Sequence, residues 1–129
     1  IGLLDVVTRV AIEEERPDWR GTLATEYSAG AFRVLGRTSY YGKFASAQPG
    51  YCDDCRESYG SKTLFDTEVG YKFASMELTA GARNIFDTYP DKAQDDYNNN
   101  FGTFPWAAAS PFGYNGRYLY VRSSFRLTR

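Results

Sequence analysis

Read for the spacing of its apolar residues, the chain is dominated by a period of two. Segments 19–27, 32–41, 63–73, 76–86 and 117–127 alternate apolar with polar positions and are bounded by Gly, Pro, Asn and Asp clusters, which is the pattern of β-strands. Residues 5–12 alternate more weakly and are expected to form a sixth strand. The charged run Glu13-Glu14-Glu15-Arg16 and the turn signal Pro17-Asp18 would close it. No segment of helical period carries a cap at both ends, and no repeat or shift in composition marks a domain boundary. The expectation is an all-β, antiparallel up-and-down meander of five to six strands, with residues 1–129 forming one piece.

Successive side chains of a strand point to opposite faces, so the two faces can be read apart. One row carries Trp19, Leu23, Tyr27, Phe32, Val34, Tyr40, Phe65, Val69, Tyr71, Phe73, Leu78, Phe86, Leu119, Val121 and Phe125, with small or amide residues between them and no charge. The opposite row carries Arg20, Glu26, Arg33, Arg37, Asp66, Glu68, Lys72, Glu77, Arg83, Arg122 and Arg126. Two environments make this pattern. In a soluble sandwich the apolar face meets a second sheet; in an outer-membrane barrel it meets lipid, and the charged face lines a wet interior.

The connections favour the barrel. Residues 28–31 and 74–75 read as tight turns, whereas 42–62 and 87–116 are long, polar and aromatic. In a meander this alternation gathers the short connections at one end of the sheet and the long ones at the other, as membrane barrels do. Aromatic residues also collect near the ends of the apolar row, where rings with a polar handle suit a membrane–water boundary. Strand propensity alone offers a plainer account of them.

Composition then removes other classes. The 129 residues hold 15 Lys+Arg against 16 Asp+Glu, a formal charge of −1, so the basic excess of a nucleic-acid binder is missing. With no histidine, the Ser/His and Cys/His nucleophile pairs and most zinc sites are excluded. No catalytic residue, metal site or cofactor is expected, and the chain does not read as an enzyme. No apolar run approaches the roughly 18–20 residues of a membrane helix, a limit that does not apply to strands. The opening Ile1-Gly2 lacks a basic n-region and an apolar h-region, so no export signal is expected within it.

Two segments near the C-terminal end carry a resemblance. Ala82-Arg83-Asn84-Ile85-Phe86-Asp87-Thr88-Tyr89-Pro90, followed after a variable loop by Ser110-Pro111-Phe112-Gly113-Tyr114-Asn115-Gly116-Arg117-Tyr118-Leu119-Tyr120-Val121-Arg122, resembles the end of TonB-dependent outer-membrane receptors. Glu13-Glu14-Glu15-Arg16-Pro17, Tyr40-Tyr41-Gly42 and Lys62-Thr63-Leu64-Phe65-Asp66 extend the resemblance over the whole chain. It implies the C-terminal strands of a 22-stranded transmembrane β-barrel in the bacterial cell outer membrane, with the N-terminal plug outside this sequence. It also implies transport of a scarce ligand, a ferric siderophore being the commonest, energised by the TonB complex through that plug. Outer-membrane lipid and the barrel-assembly machinery are the further partners. Family chains commonly end on an aromatic residue, whereas here Phe125-Arg126-Leu127 precedes Thr128-Arg129. The motifs themselves read as strand-end and turn chemistry: Pro90 ends pairing, and Asn115-Gly116 accepts positive φ.

A few groups are candidates for chemistry. Cys52-Asp53-Asp54-Cys55 lacks the context of a redox site, because the aspartates would raise the thiol pKa and no other Cys or His exists to complete a zinc set. A small disulfide pinning the loop tip is the remaining expectation. The acidic clusters Glu13–Glu15, Asp53-Asp54, Asp91 and Asp95-Asp96 lack EF-hand spacing and read as solvated charge. Tyr97, Phe101, Phe104 and Trp106 lie in the last long loop, where they are expected either to contact a siderophore or sugar by stacking or to pack on one another. Arg33, Arg37, Arg83 and Arg122 share the charged face, placed to guide an anion or to pair with Asp66, Glu68, Glu77 or plug residues inside the barrel. The reading from another class is a soluble β-sandwich module that recognises carbohydrate or protein through its aromatic loops.

Overall fold

All five strongly alternating segments are strands. The computed structural model describes residues 6–47, 56–94 and 98–127. Internal contacts divide the chain into two units: Ile1–Gly21, Tyr40–Lys62 and Tyr89–Asn115 make the first, and Thr22–Ser39, Thr63–Thr88 and Gly116–Arg129 the second. Each unit draws on three separated stretches, which is why no boundary shows in the composition.

Strands β1 (Arg20–Ala29), β2 (Phe32–Tyr41), β5 (Lys62–Phe73), β6 (Met76–Arg83) and β7 (Tyr118–Phe125) form one five-stranded sheet in the order β1-β2-β5-β6-β7. The pairs β5–β6 and β6–β7 are antiparallel, and Val69, Ala80 and Val121 stand in one row across them. Gly30, at φ 59°, turns β1 into β2, and Ala74, at φ 50°, turns β5 into β6. A left-handed backbone at both turns matches the twist of the flanking strands. Two ladders gain a bond at their ends, from Lys72 N–H to the Ala31 carbonyl and from Arg126 N–H to the Ser75 carbonyl, each at 2.8 Å.

The two faces of the sheet differ in exposure. Most large side chains of its apolar row are exposed, from 38% at Phe65 to 73% at Val121, while Met76 is half-buried, and among the described residues of this unit no second layer covers that row. On the charged face, by contrast, Glu68 is 8% exposed and Thr79 2%. Arg33, Tyr120 and Arg122 surround the Glu68 carboxylate.

The first unit holds the remaining elements. Residues expected to form a sixth, weak strand over 5–12 instead form a helix, α1 (Val6–Glu13). Valine and isoleucine favour strands on propensity, but Val10 is buried with Ala45 and Ala47, and that contact decides the matter. The Val10 carbonyl accepts from Glu14 N–H at 2.9 Å and Glu15 N–H at 3.0 Å, closing the helix. Within the connection over 42–62, β3 (Phe44–Ser46) pairs antiparallel with β4 (Glu57–Tyr59), a ribbon the alternation did not announce. Phe44 stacks on its partner Tyr59 at 4.9 Å, and both are buried with Ala107 from the last connection.

Candidate functional site

Glu68 is the hub of the charged face. Its carboxylate accepts from Arg33 Nη2 at 2.6 Å and from the Tyr120 hydroxyl at 2.6 Å, and Arg122 Nη2 lies at 3.4 Å. Arg33 also stands 3.6 Å from Glu77 and 3.7 Å from Glu26. Arg37 lies 3.9 Å from Asp66. Three of the four arginines read as ligand guides are therefore paired within the sheet, as their alternation with carboxylates on that face allows. The fourth, Arg83, has no carboxylate within ion-pair distance among the described residues; its guanidinium lies 6.0 Å from the centre of the Tyr120 ring.

One glycine makes room for these crossings. Tyr120 stands opposite Gly81 in the β6–β7 register, and its ring lies across the bare backbone to reach Glu68 on the next strand. A Cβ on Gly81 would sit 2.3 Å from Tyr120 Cζ and 2.4 Å from its hydroxyl oxygen. At Gly70 the nearest side-chain atoms would be 3.4 Å and 3.5 Å away, from Glu77 and Arg33, an ordinary contact. Gly81→Ala should therefore cost about 1–3 kcal/mol through overpacking, while Gly70→Ala should be close to neutral. With Tyr120→Ala already present, Gly81→Ala should turn neutral or stabilising by about 0.5–1 kcal/mol, since alanine loses less backbone entropy. Urea midpoints of the four single and double variants against the unsubstituted protein check this; an unchanged Gly81→Ala penalty in the Tyr120→Ala background would contradict the slot. Tyr120 and Gly81 escape a reading of motifs because their pairing depends on strand register.

The segment 84–90 folds into a knot at the end of β6. Asn84 and Asp87 take φ of 50° and 57°, a region Asn and Asp enter more readily than most residues. The Asn84 side chain donates to the Thr88 carbonyl at 2.8 Å and accepts from Thr88 N–H at 2.9 Å, while its own N–H donates to Asp66 at 2.9 Å. Asp87 accepts from Arg117 N–H at 2.7 Å, so the chain leaves the sheet and returns to it at one point. Gly116 supplies positive φ beside that return, as the Asn115-Gly116 pair suggested. The knot also ends β6 at Arg83, three residues before the alternation runs out.

In the first unit the loop aromatics pack on one another. Trp106 stacks on Tyr89 at 4.7 Å and 10°, and Tyr114 lies 6.2 Å beyond it. Phe104 meets Tyr114 at 4.9 Å. Phe101 is exposed, at φ 57°. Tyr97 and the expected Cys52–Cys55 disulfide lie outside the described residues. Of the acidic positions, Glu14 pairs with Arg56 and Asp91 binds Gly60 N–H at 2.7 Å and Lys62 Nζ at 2.6 Å.

The Lys62 ammonium, helped by the Gly60 amide, holds the Asp91 carboxyl below its ordinary value. A depressed carboxyl stabilises above its unfolded pKa and loses that contribution as the pH falls through the folded value. Protection of the Gly60 amide from exchange should thus persist at pH 5 and above and weaken only below about pH 4, the ordinary aspartate range. Loss of protection already near neutrality, or none on full acidification, would contradict the tie.

Protein-family models, curated proteins and solved structures were compared with the chain, and none matches it.

Proposed function

We propose that this chain forms C-terminal strands of the 22-stranded barrel of a TonB-dependent receptor, an outer-membrane transporter for a scarce ligand, with a ferric siderophore the leading candidate. One observation supports the reading: large apolar side chains are exposed along one face of the sheet, while on the charged face Glu68 is buried and hydrogen-bonded. Hydrocarbon stabilises the first arrangement and a hydrated lumen the second. The knot joining segment 84–90 to Arg117 supports the same reading, because it ties together the two segments that resemble the family. No helix among the described residues is long and apolar enough to cross a membrane. Energy from the TonB complex would reach the barrel through the plug, and insertion would depend on the barrel-assembly machinery. A soluble β-sandwich module would instead bury Phe65 and Leu119 against a second layer.

The test is the behaviour of the full polypeptide that carries these residues. Expressed with its export signal, it should fractionate with the outer membrane, stay folded in detergent or lipid, and shift in electrophoretic mobility on boiling. A monodisperse folded protein in detergent-free buffer, with Phe65 and Leu119 shielded from solvent, would overturn the transporter reading.

A further inference from the structure

Charge on the polar face is unevenly satisfied. Arg33 shares Glu26, Glu68 and Glu77; Arg122 shares Glu68; Arg37 has Asp66. Arg83 is exposed and lies beyond ion-pair distance of every described carboxylate. Its neighbours are rings. Tyr120 is locked by the Gly81 slot and by its bond to Glu68. Tyr118, directly opposite Arg83 in the register, stacks on Tyr120 at 6.0 Å and 23° and keeps 60% of its surface exposed. A cation with no carboxylate among the described residues in ion-pair distance thus stands opposite an exposed tyrosine in the register, and the Tyr120 ring near it is fixed from two sides.

We infer that Arg83, Tyr118 and Tyr120 form a binding site for a small anion whose charge is conjugated to a planar ring, such as an aromatic carboxylate. The guanidinium fork matches the two oxygens of a carboxylate. The Tyr118 face takes the attached ring by offset stacking, and its hydroxyl offers a further hydrogen bond. A tetrahedral oxyanion would use the arginine and leave the ring idle, and a neutral sugar would leave the cation without a partner. The role of the site as a station for transported ligand rests on the transporter reading, whereas binding of the anion does not.

Benzoate, benzamide and acetate serve as probes, with binding to the intact protein followed by saturation-transfer NMR on the ring protons and by calorimetry. Benzoate should bind saturably, and benzamide and acetate each at least about tenfold more weakly, since one lacks the charge and the other the ring. Arg83→Gln should weaken benzoate about tenfold or more and Tyr118→Leu severalfold, with Arg83→Lys intermediate because an ammonium lacks the fork. Arg37→Gln, which removes a cation already paired with Asp66, should leave benzoate binding within about twofold. Circular dichroism of each variant separates lost binding from lost folding. Equal affinity for benzoate and benzamide in the unsubstituted protein, or benzoate binding insensitive to Arg83→Gln in a folded variant, would overturn the site. Benzoate binding by a protein that proves soluble without detergent would keep the site and remove the transporter.

Discussion

Glu68→Ala should destabilise the folded protein by about 3–5 kcal/mol, the range for removing one partner of a buried ion pair. Glu68 is almost wholly buried on the charged face and receives Arg33, Tyr120 and Arg122. Truncating it leaves the Tyr120 hydroxyl without its acceptor and takes the shortest contact from Arg33. Glu77 and Glu26 stand farther from Arg33 and give partial relief, which places the expectation at the lower end of the range. Glu68→Gln keeps an acceptor and should cost roughly half as much, because hydrogen bonds to a charged group are worth more than neutral ones. Urea denaturation of the protein in detergent micelles gives both values. A loss below about 1 kcal/mol for Glu68→Ala, the level of an exposed pair, would mean that this face is fully solvated and the network incidental.

Arginine on the apolar row should be the other costly change. Val69 and Val121 stand in the middle row of β5 and β7, and both are open on the face assigned to lipid. With the sheet in the outer membrane as proposed, either Val→Arg substitution should cost about 2–4 kcal/mol, the penalty near a bilayer midplane. Ser124→Arg is the matched control. Ser124 is exposed on the opposite face and stands opposite Glu77, so an added guanidinium meets water and a carboxylate and should cost under about 1 kcal/mol. Thr79 would be a poor control on that face because its burial makes any large side chain a steric problem. Refolding into lipid vesicles and unfolding in guanidinium measures the difference. Similar penalties at Val121 and Ser124 would remove the basis for assigning the faces to lipid and lumen.

What the sequence disclosed follows from how local each feature is. Alternation located β1, β2, β5, β6 and β7 and sorted their faces, because the two-residue period is a property of the strand alone. It misread residues 5–12, where branched residues suggested a strand and burial of Val10 against Ala45 and Ala47 made a helix. It did not announce β3 and β4, whose three-residue strands are too short to show a period. The arginines were legible as residents of one face, but their division into paired and unpaired members was not. That depends on which carboxylate stands across the register, and only the structure distinguishes Arg33 beside Glu68 from Arg83 beside Tyr120. Phe104 and Trp106 were legible as loop aromatics, while their partners Tyr114 and Tyr89 are set by the path of the loop.

The bond from Arg117 N–H to Asp87 has a consequence for how such a protein can diversify. It brings the two feet of the last long connection together at the end of the β6–β7 ladder, which itself fixes the alignment of those strands. Connections of this kind tolerate insertion and replacement well. Exchange is therefore expected at exposed positions of the connection such as Phe101, and not at Ala107, which is buried with Phe44 and Tyr59, or at Asp91, which is tied to Lys62.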